Sequence, residues 1–197
     1  MKQFIPKKIM YFIDGENIVI RYQDMVRKGF EPHSNVIHEP DIFVWSPQIS
    51  SPGINQLVRA YYYASVTGDT DKMQDIAVKI KRLTLPRQAG DEITKRLYPV
   101  VMKKPDNKTK AKGIDIQMTV DILSHVYQNN LDIVCLFSGD GDYKPVLEEA
   151  IRYGKQVYVA AFSDGLNPDL KNVADEFIDL DNVFFDLSKS PVYVVGR

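Results

Sequence analysis

The run Leu131 to Phe137, LDIVCLF, constrains the fold more than any other stretch. Apart from Asp132 it is apolar throughout, without the alternation of a strand that has one wet face. A continuous apolar run of this length fits a strand covered on both faces, as in a parallel sheet flanked by helices. Four further runs read as strands: KIMYFI (Lys8 to Ile13), VRAYYYASV (Val58 to Val66), LYPVVMKK (Leu97 to Lys104) and KQVYVAAF (Lys155 to Phe162). They are rich in β-branched and aromatic residues. Pro99 marks the third of these as an edge strand or a strand start.

Helical patterns lie between the strands. NIVIRYQDMVRKG begins at Asn17 and is stopped by Gly29. TDKMQDIAVKIKRL is amphipathic and capped by Thr70 or Asp71. GIDIQMTVDILSHVYQ starts at Gly113, and YKPVLEEAIRYG carries Pro145 in its first turn and Gly154 as its stop. NPDLKNVADEF, from Asn167, is a short helix, and the tail beyond it is strand-like in places. Residues 30–55 hold four prolines and read as irregular, with DIFVW (Asp41 to Trp45) as the one strand-like piece. This strand–helix alternation predicts an α/β fold with a mostly parallel central sheet covered on both faces.

Composition bounds the rest. The chain has 197 residues, 44% of them hydrophobic, which suits one sizeable core and one domain. That domain spans 1–197, with an irregular insertion at about 30–55 and a C-terminal extension after about 181. The 25 basic and 26 acidic residues leave a net charge of −1. Bulk charge therefore argues against a general nucleic-acid or membrane binder, and any such contact has to rest on a local patch. Cys135 has no second cysteine to pair with, which fits a reducing compartment. Asp14 cuts the N-terminal apolar run too short for a signal segment or a membrane span. The expectation is a soluble, cytoplasmic protein without a membrane partner. Self-association is left open.

Two of the strands end in acids. In LFSGDGDY (Leu136 to Tyr143), Asp140 and Asp142 follow the strongest strand with one glycine between them. In FIDGENI (Phe12 to Ile18), Asp14 follows the first strand and Asn17 opens a helix. In a parallel sheet both ends fall on the same edge, where ligands collect. Repulsion between such close carboxylates is relieved either by solvent in an ordinary turn or by a bound cation. Asp14 or Asn17 is equally suited to capping its helix. Asp115 supplies a third acid. At about 100° per residue it projects between Ile122 and Val126, about 20° from each, inside an apolar arc. An acid there is costly unless paired or bound to metal, although a first-turn acid also complements the helix dipole. Asp121 projects with Gln117 and Ser124, on what looks like a solvated face.

An oxygen-only set of this kind suits Mg²⁺ or Mn²⁺. No cysteine–histidine cluster suggests zinc, no histidine partners Ser138 in a triad, and neither a dinucleotide fingerprint nor a Walker loop is present. His33 and His38 lie in the irregular segment, and His125 reads as surface or packing. Lys103, Lys104, Lys108, Lys110 and Lys112 lead into the acidic helix. They are candidates for phosphate contacts, or else a solvated connection. The tyrosines of RAYYYAS alternate faces and read as core packing.

Three segments, YFIDGENI, KGIDIQMTVDIL and LFSGDGDYKPVLEEAIRYGKQVYV, resemble the signature segments of the NYN domain family, within the PIN-like nucleases. They occur in the family's order, and the likeness runs from Lys8 to about Asp181. It implies a three-layer α/β/α sandwich and metal-dependent ribonuclease activity on RNA. It also implies metal-ligand roles for Asp14, Asp115, Asp140 and Asp142, with Asn17 in support, and it draws attention to Asp121. Ser138 lies within the same motif and is taken as supporting. Two other functions remain open: a non-catalytic RNA- or protein-binding module of the same fold, and a phosphohydrolase acting on small phosphates.

Overall fold

Strand β1 (Lys8–Asp14) lies at the centre of a six-stranded sheet. The computed structural model describes residues 5–49, 55–86, 95–105 and 113–191. After β1 come α1 (Gly15–Arg27), β2 (Ile37–Glu39), β3 (Phe43–Trp45), β4 (Gln56–Val66), α2 (Thr70–Arg82) and β5 (Tyr98–Lys103). The second half contains α3 (Ile114–Tyr127), β6 (Ile133–Phe137), a 3₁₀ turn (Gly141–Tyr143), α4 (Lys144–Arg152) and β7 (Gln156–Ala161). It ends with α5 (Pro168–Val173), β8 (Glu176–Asp179) and α6 (Asp181–Phe184).

The sheet order is β5-β4-β1-β6-β7-β8, and every ladder in it is parallel. The architecture is the three-layer α/β/α sandwich of PIN-like proteins. One face of the sheet packs Ile18, Val19 and Tyr22 of α1 and Ile76 and Ile80 of α2. The other packs Met118 and Ile122 of α3, Val146 and Leu147 of α4 and Leu170 of α5. All five residues of β6 are buried, as a strand covered on both faces must be. Pro99 does lie in an edge strand, and the glycine stops after α1 and α4 are left-handed, with φ +91° at Gly29 and +74° at Gly154.

Three local expectations are corrected. Among the described residues of the 30–55 segment, DIFVW is not the one strand-like piece, because β2 pairs antiparallel with β3 in a hairpin; residues 50–54 lie outside the described residues. That hairpin is fastened to the α1 and α2 face: the Tyr62 hydroxyl donates to the Val44 carbonyl and accepts from its N–H, both at 3.1 Å. The cap of α2 is Asp69, whose carboxylate accepts from the Lys72 N–H at 2.9 Å, one or two positions before the residues expected. The helix from Asn167 stops at Val173, and Glu176 to Asp179 add the outermost strand of the sheet. Among the described residues no helix is long and apolar enough to cross a membrane.

Candidate active site

Strands β1 and β6 lie side by side, with Ile13 opposite Phe137. Between them the strand order reverses: β4 and β5 extend the sheet one way, β6 to β8 the other. The crevice beyond the carboxyl ends of two such strands is where open α/β sheets bind ligands. Asp14 and the segment Ser138 to Asp142 occupy that crevice.

Asp14 is 3% exposed. One of its carboxylate oxygens accepts from the Asn17 N–H at 3.1 Å and so caps α1; the other accepts from the Ser138 hydroxyl at 3.1 Å. Asp14 is thus a helix cap and a member of the acidic cluster at once. Ser138, fully buried, also accepts from the Asp140 N–H at 3.1 Å, while the Asn17 side-chain oxygen accepts from the Gly139 N–H at 3.1 Å. These bonds stitch the start of α1 to the end of β6. Gly15 is required by close approach: a β-carbon there would run into the Tyr62 ring and the Tyr63 carbonyl oxygen.

Asp140 caps the following 3₁₀ turn by accepting from the Asp142 N–H at 3.1 Å, and Asp142 itself is exposed. Asp115, in the first turn of α3, accepts a 3.0 Å hydrogen bond from the Tyr143 hydroxyl. Burial pushes the Tyr143 phenol far above its ordinary range, and the charges of Asp14, Asp115 and Asp140 push it further. Asp115 thus touches the phenol directly, while the charges of Asp14 and Asp140 act on it from the ends of β1 and β6. Among the described residues no three Asp, Glu, His or Cys side chains already form a ligand shell around a single point.

Several side chains differ from expectation. Asp121 is not on a solvated face: it accepts from the Tyr63 hydroxyl and from the Gln117 amide, both at 2.8 Å. The helical projection failed there because Tyr63 approaches from the sheet, which a single-helix projection does not contain. Lys104 is 6% exposed, and its ammonium pairs with Glu16 at 3.2 Å, so it is not an open phosphate contact. Lys103 is exposed at the end of β5, whereas Lys108, Lys110 and Lys112 lie outside the described residues. His125 packs against Phe12 and shares a 3.0 Å hydrogen bond with the Tyr61 hydroxyl, in keeping with a packing role. Tyr143 and Glu16 were missed. Tyr143 closes the quoted acidic motif, but its partner lies 28 positions away and leaves no periodic signal.

The sequence profile of the NYN domain family matches residues 8–181. The chain belongs to the NYN family. NYN domains are nuclease-like, and the fold agrees with that membership. Among similar proteins is the low amplitude and bright protein LabA of Synechococcus elongatus, 27% identical over 199 aligned residues, covering 95% of this chain and 92% of LabA. An uncharacterized protein of Methanocaldococcus jannaschii is 27% identical over 121 residues, covering 59% of this chain. The match spans 49% of that relative, about half its length. The crystal structure of a Vibrio parahaemolyticus protein of unknown function superimposes with a TM-score of 0.60, over 94% of this chain and 100% of its own. At 21% identity that likeness concerns the fold alone.

Proposed function

We propose that this NYN protein is a ribonuclease that hydrolyses RNA phosphodiester bonds at a Mg²⁺ or Mn²⁺ centre held by Asp14, Asp115, Asp140 and Asp142. The supporting observation is geometric: at the point where the strand order reverses, Asp14 accepts from the Ser138 hydroxyl, Ser138 accepts from the Asp140 N–H, and Asp115 accepts from Tyr143, the neighbour of Asp142. The donor set fits a hard cation, since it consists of carboxylate oxygens and contains no thiolate or imidazole. A divalent ion bound there would lower the pKa of a coordinated water and offset the charge of the phosphate.

The chain's own groups set the positions. The Asn17 N–H and the Ser138 hydroxyl fix the two oxygens of Asp14. Tyr143, kept protonated by its surroundings, can only donate to Asp115 and so orients that carboxylate. Asp115, Asp140 and Asp142 are more accessible than Asp14, and rotation of their side chains would complete the ligand set.

Asp140→Asn tests this assignment. It keeps the side-chain size and removes one charge. RNA cleavage with Mn²⁺ is expected to fall by at least ~100-fold, the upper end of what losing an outer-shell partner of a metal site costs, while circular dichroism shows the fold retained. Unchanged cleavage by folded Asp140→Asn protein overturns the ligand role. If the wild type cuts no RNA or DNA with either ion, the non-catalytic binding module takes its place.

A further inference from the structure

Pairing between β4 and β5 begins only at Tyr61 and Tyr98, so Gln56 to Ala60 of β4 lie ahead of the start of β5, unpaired on that side. A groove of about 260 Å³ opens there. Its walls include Arg59, Lys95, Arg96, Tyr98, Val58 and Leu85, and among the described residues no acidic one lines it. Among the described residues neither Arg59 nor Arg96 has an acidic partner. The Arg59 guanidinium instead lies 5.1 Å from the centre of the Tyr98 ring and 5.8 Å from that of Tyr61. Tyr98 is 50% exposed despite its size.

A chain with net charge −1 has placed two arginines, Arg59 and Arg96, and an accessible aromatic ring in one groove. That combination suits a ligand carrying both phosphates and flat rings. Charge tracks the backbone of such a ligand, and the aromatic face stacks on a base. A duplex hides its base faces; a single strand does not. From Arg59 to Tyr63, the β4 residue opposite Asp14, is four residues, or about 13 Å along the strand. One polynucleotide strand can reach both places.

Resting on the ribonuclease assignment above, we infer that this groove holds the flank of a single-stranded RNA substrate, with Arg59 and Arg96 on phosphates and Tyr98 stacked on a base. The location differs from the lysine-rich connection that the sequence pointed to, where Lys104 is already paired.

The test is fluorescence anisotropy in EDTA, so that nothing is cut, using labelled single-stranded RNA and a duplex of the same sequence. Wild type is expected to bind the single strand more tightly. The double variant Arg59→Ala, Arg96→Ala should weaken binding at least ~10-fold and reduce the slope of log affinity against log salt by about 1.4, roughly 0.7 for each lost single-strand phosphate contact. Tyr98→Ala should weaken binding about 5- to 10-fold with the salt slope unchanged, as loss of one stacked base predicts. Because Arg59 also packs against Tyr61, the exposed Arg96→Glu reversal supplies a second variant that leaves that packing intact, and it should weaken binding at least as much as removing one phosphate contact. Wild-type affinity and slope in the folded arginine variants would overturn the inference. So would a duplex, an inorganic polyphosphate or an acidic peptide of equal charge binding as tightly as the single strand. The measurement is independent of cleavage. Groove-dependent binding by a protein that cuts nothing keeps the groove and removes the ribonuclease; normal cleavage with groove-independent binding does the reverse.

Discussion

The Asp121 carboxylate is fixed from two sides, by Tyr63 from the sheet and by Gln117 one helical turn earlier. Tyr63 is 1% exposed, and burial followed by its bond to Asp121 pushes its phenol far above the ordinary range. Asp121→Ala would leave that hydroxyl buried without its acceptor, which costs about 1–3 kcal/mol. Asp121→Asn retains an acceptor oxygen and should cost less. Urea denaturation of both variants checks this: the alanine midpoint should fall clearly below the asparagine one, and equal midpoints would contradict the role given to the Tyr63 bond. Lys104 illustrates the same logic with a charge. Its Glu16 partner lies 88 positions away in sequence, so the run of lysines reads as one solvated patch although this member is committed to a buried pair.

Helix α2 begins where Asp69 accepts the Lys72 N–H, so Asp69→Ala should cost about 1 kcal/mol, the usual worth of an N-cap. Thr70→Ala, one position inside the helix, should change stability by a few tenths of a kcal/mol in the same urea series. A larger loss at Thr70 would move the cap back to the residue the sequence suggested. The elements that were legible in the sequence have a local cause. Strand β6 announces itself because both of its faces are covered, and Asp115 because it interrupts an apolar arc of α3. Strand β2 does not, since its three residues are half-buried or exposed and become a strand only by pairing with β3. At the acidic cluster, the carboxylates at the strand ends could be read from position. Their hydrogen-bond partners could not, because Ser138 and Tyr143 meet Asp14 and Asp115 only after the sheet and α3 have assembled.

Across the whole molecule, the buried phenols of Tyr62, Tyr63 and Tyr143 are all pushed far up, in each case chiefly by burial. Unfolded, a phenol ionises near pH 10; folded, these three keep their protons well above that. Stability is therefore intact below about pH 10 and falls as pH rises beyond it, by about 1.4 kcal/mol per pH unit for each phenol and ~4 for the three together. Urea midpoints across this range should drop steeply, with phenolate absorbance from the three residues rising only as the chain unfolds. Ionisation of all three in a chain that is still folded would contradict their burial. The central position of β1 also has a consequence for biosynthesis. Its neighbours are Gln56 to Tyr63 on one side and Ile133 to Phe137 on the other, so the second side is closed only once the chain has grown from Asp14 to Ile133. On a ribosome adding about 5–20 residues each second, roughly 6–25 s separate β1 from β6. During that interval the apolar run Ile9 to Ile13 has an open edge, the kind of template that recruits other chains. A message truncated before Ile133 would yield not a smaller version of this protein but a chain whose middle strand stays adhesive.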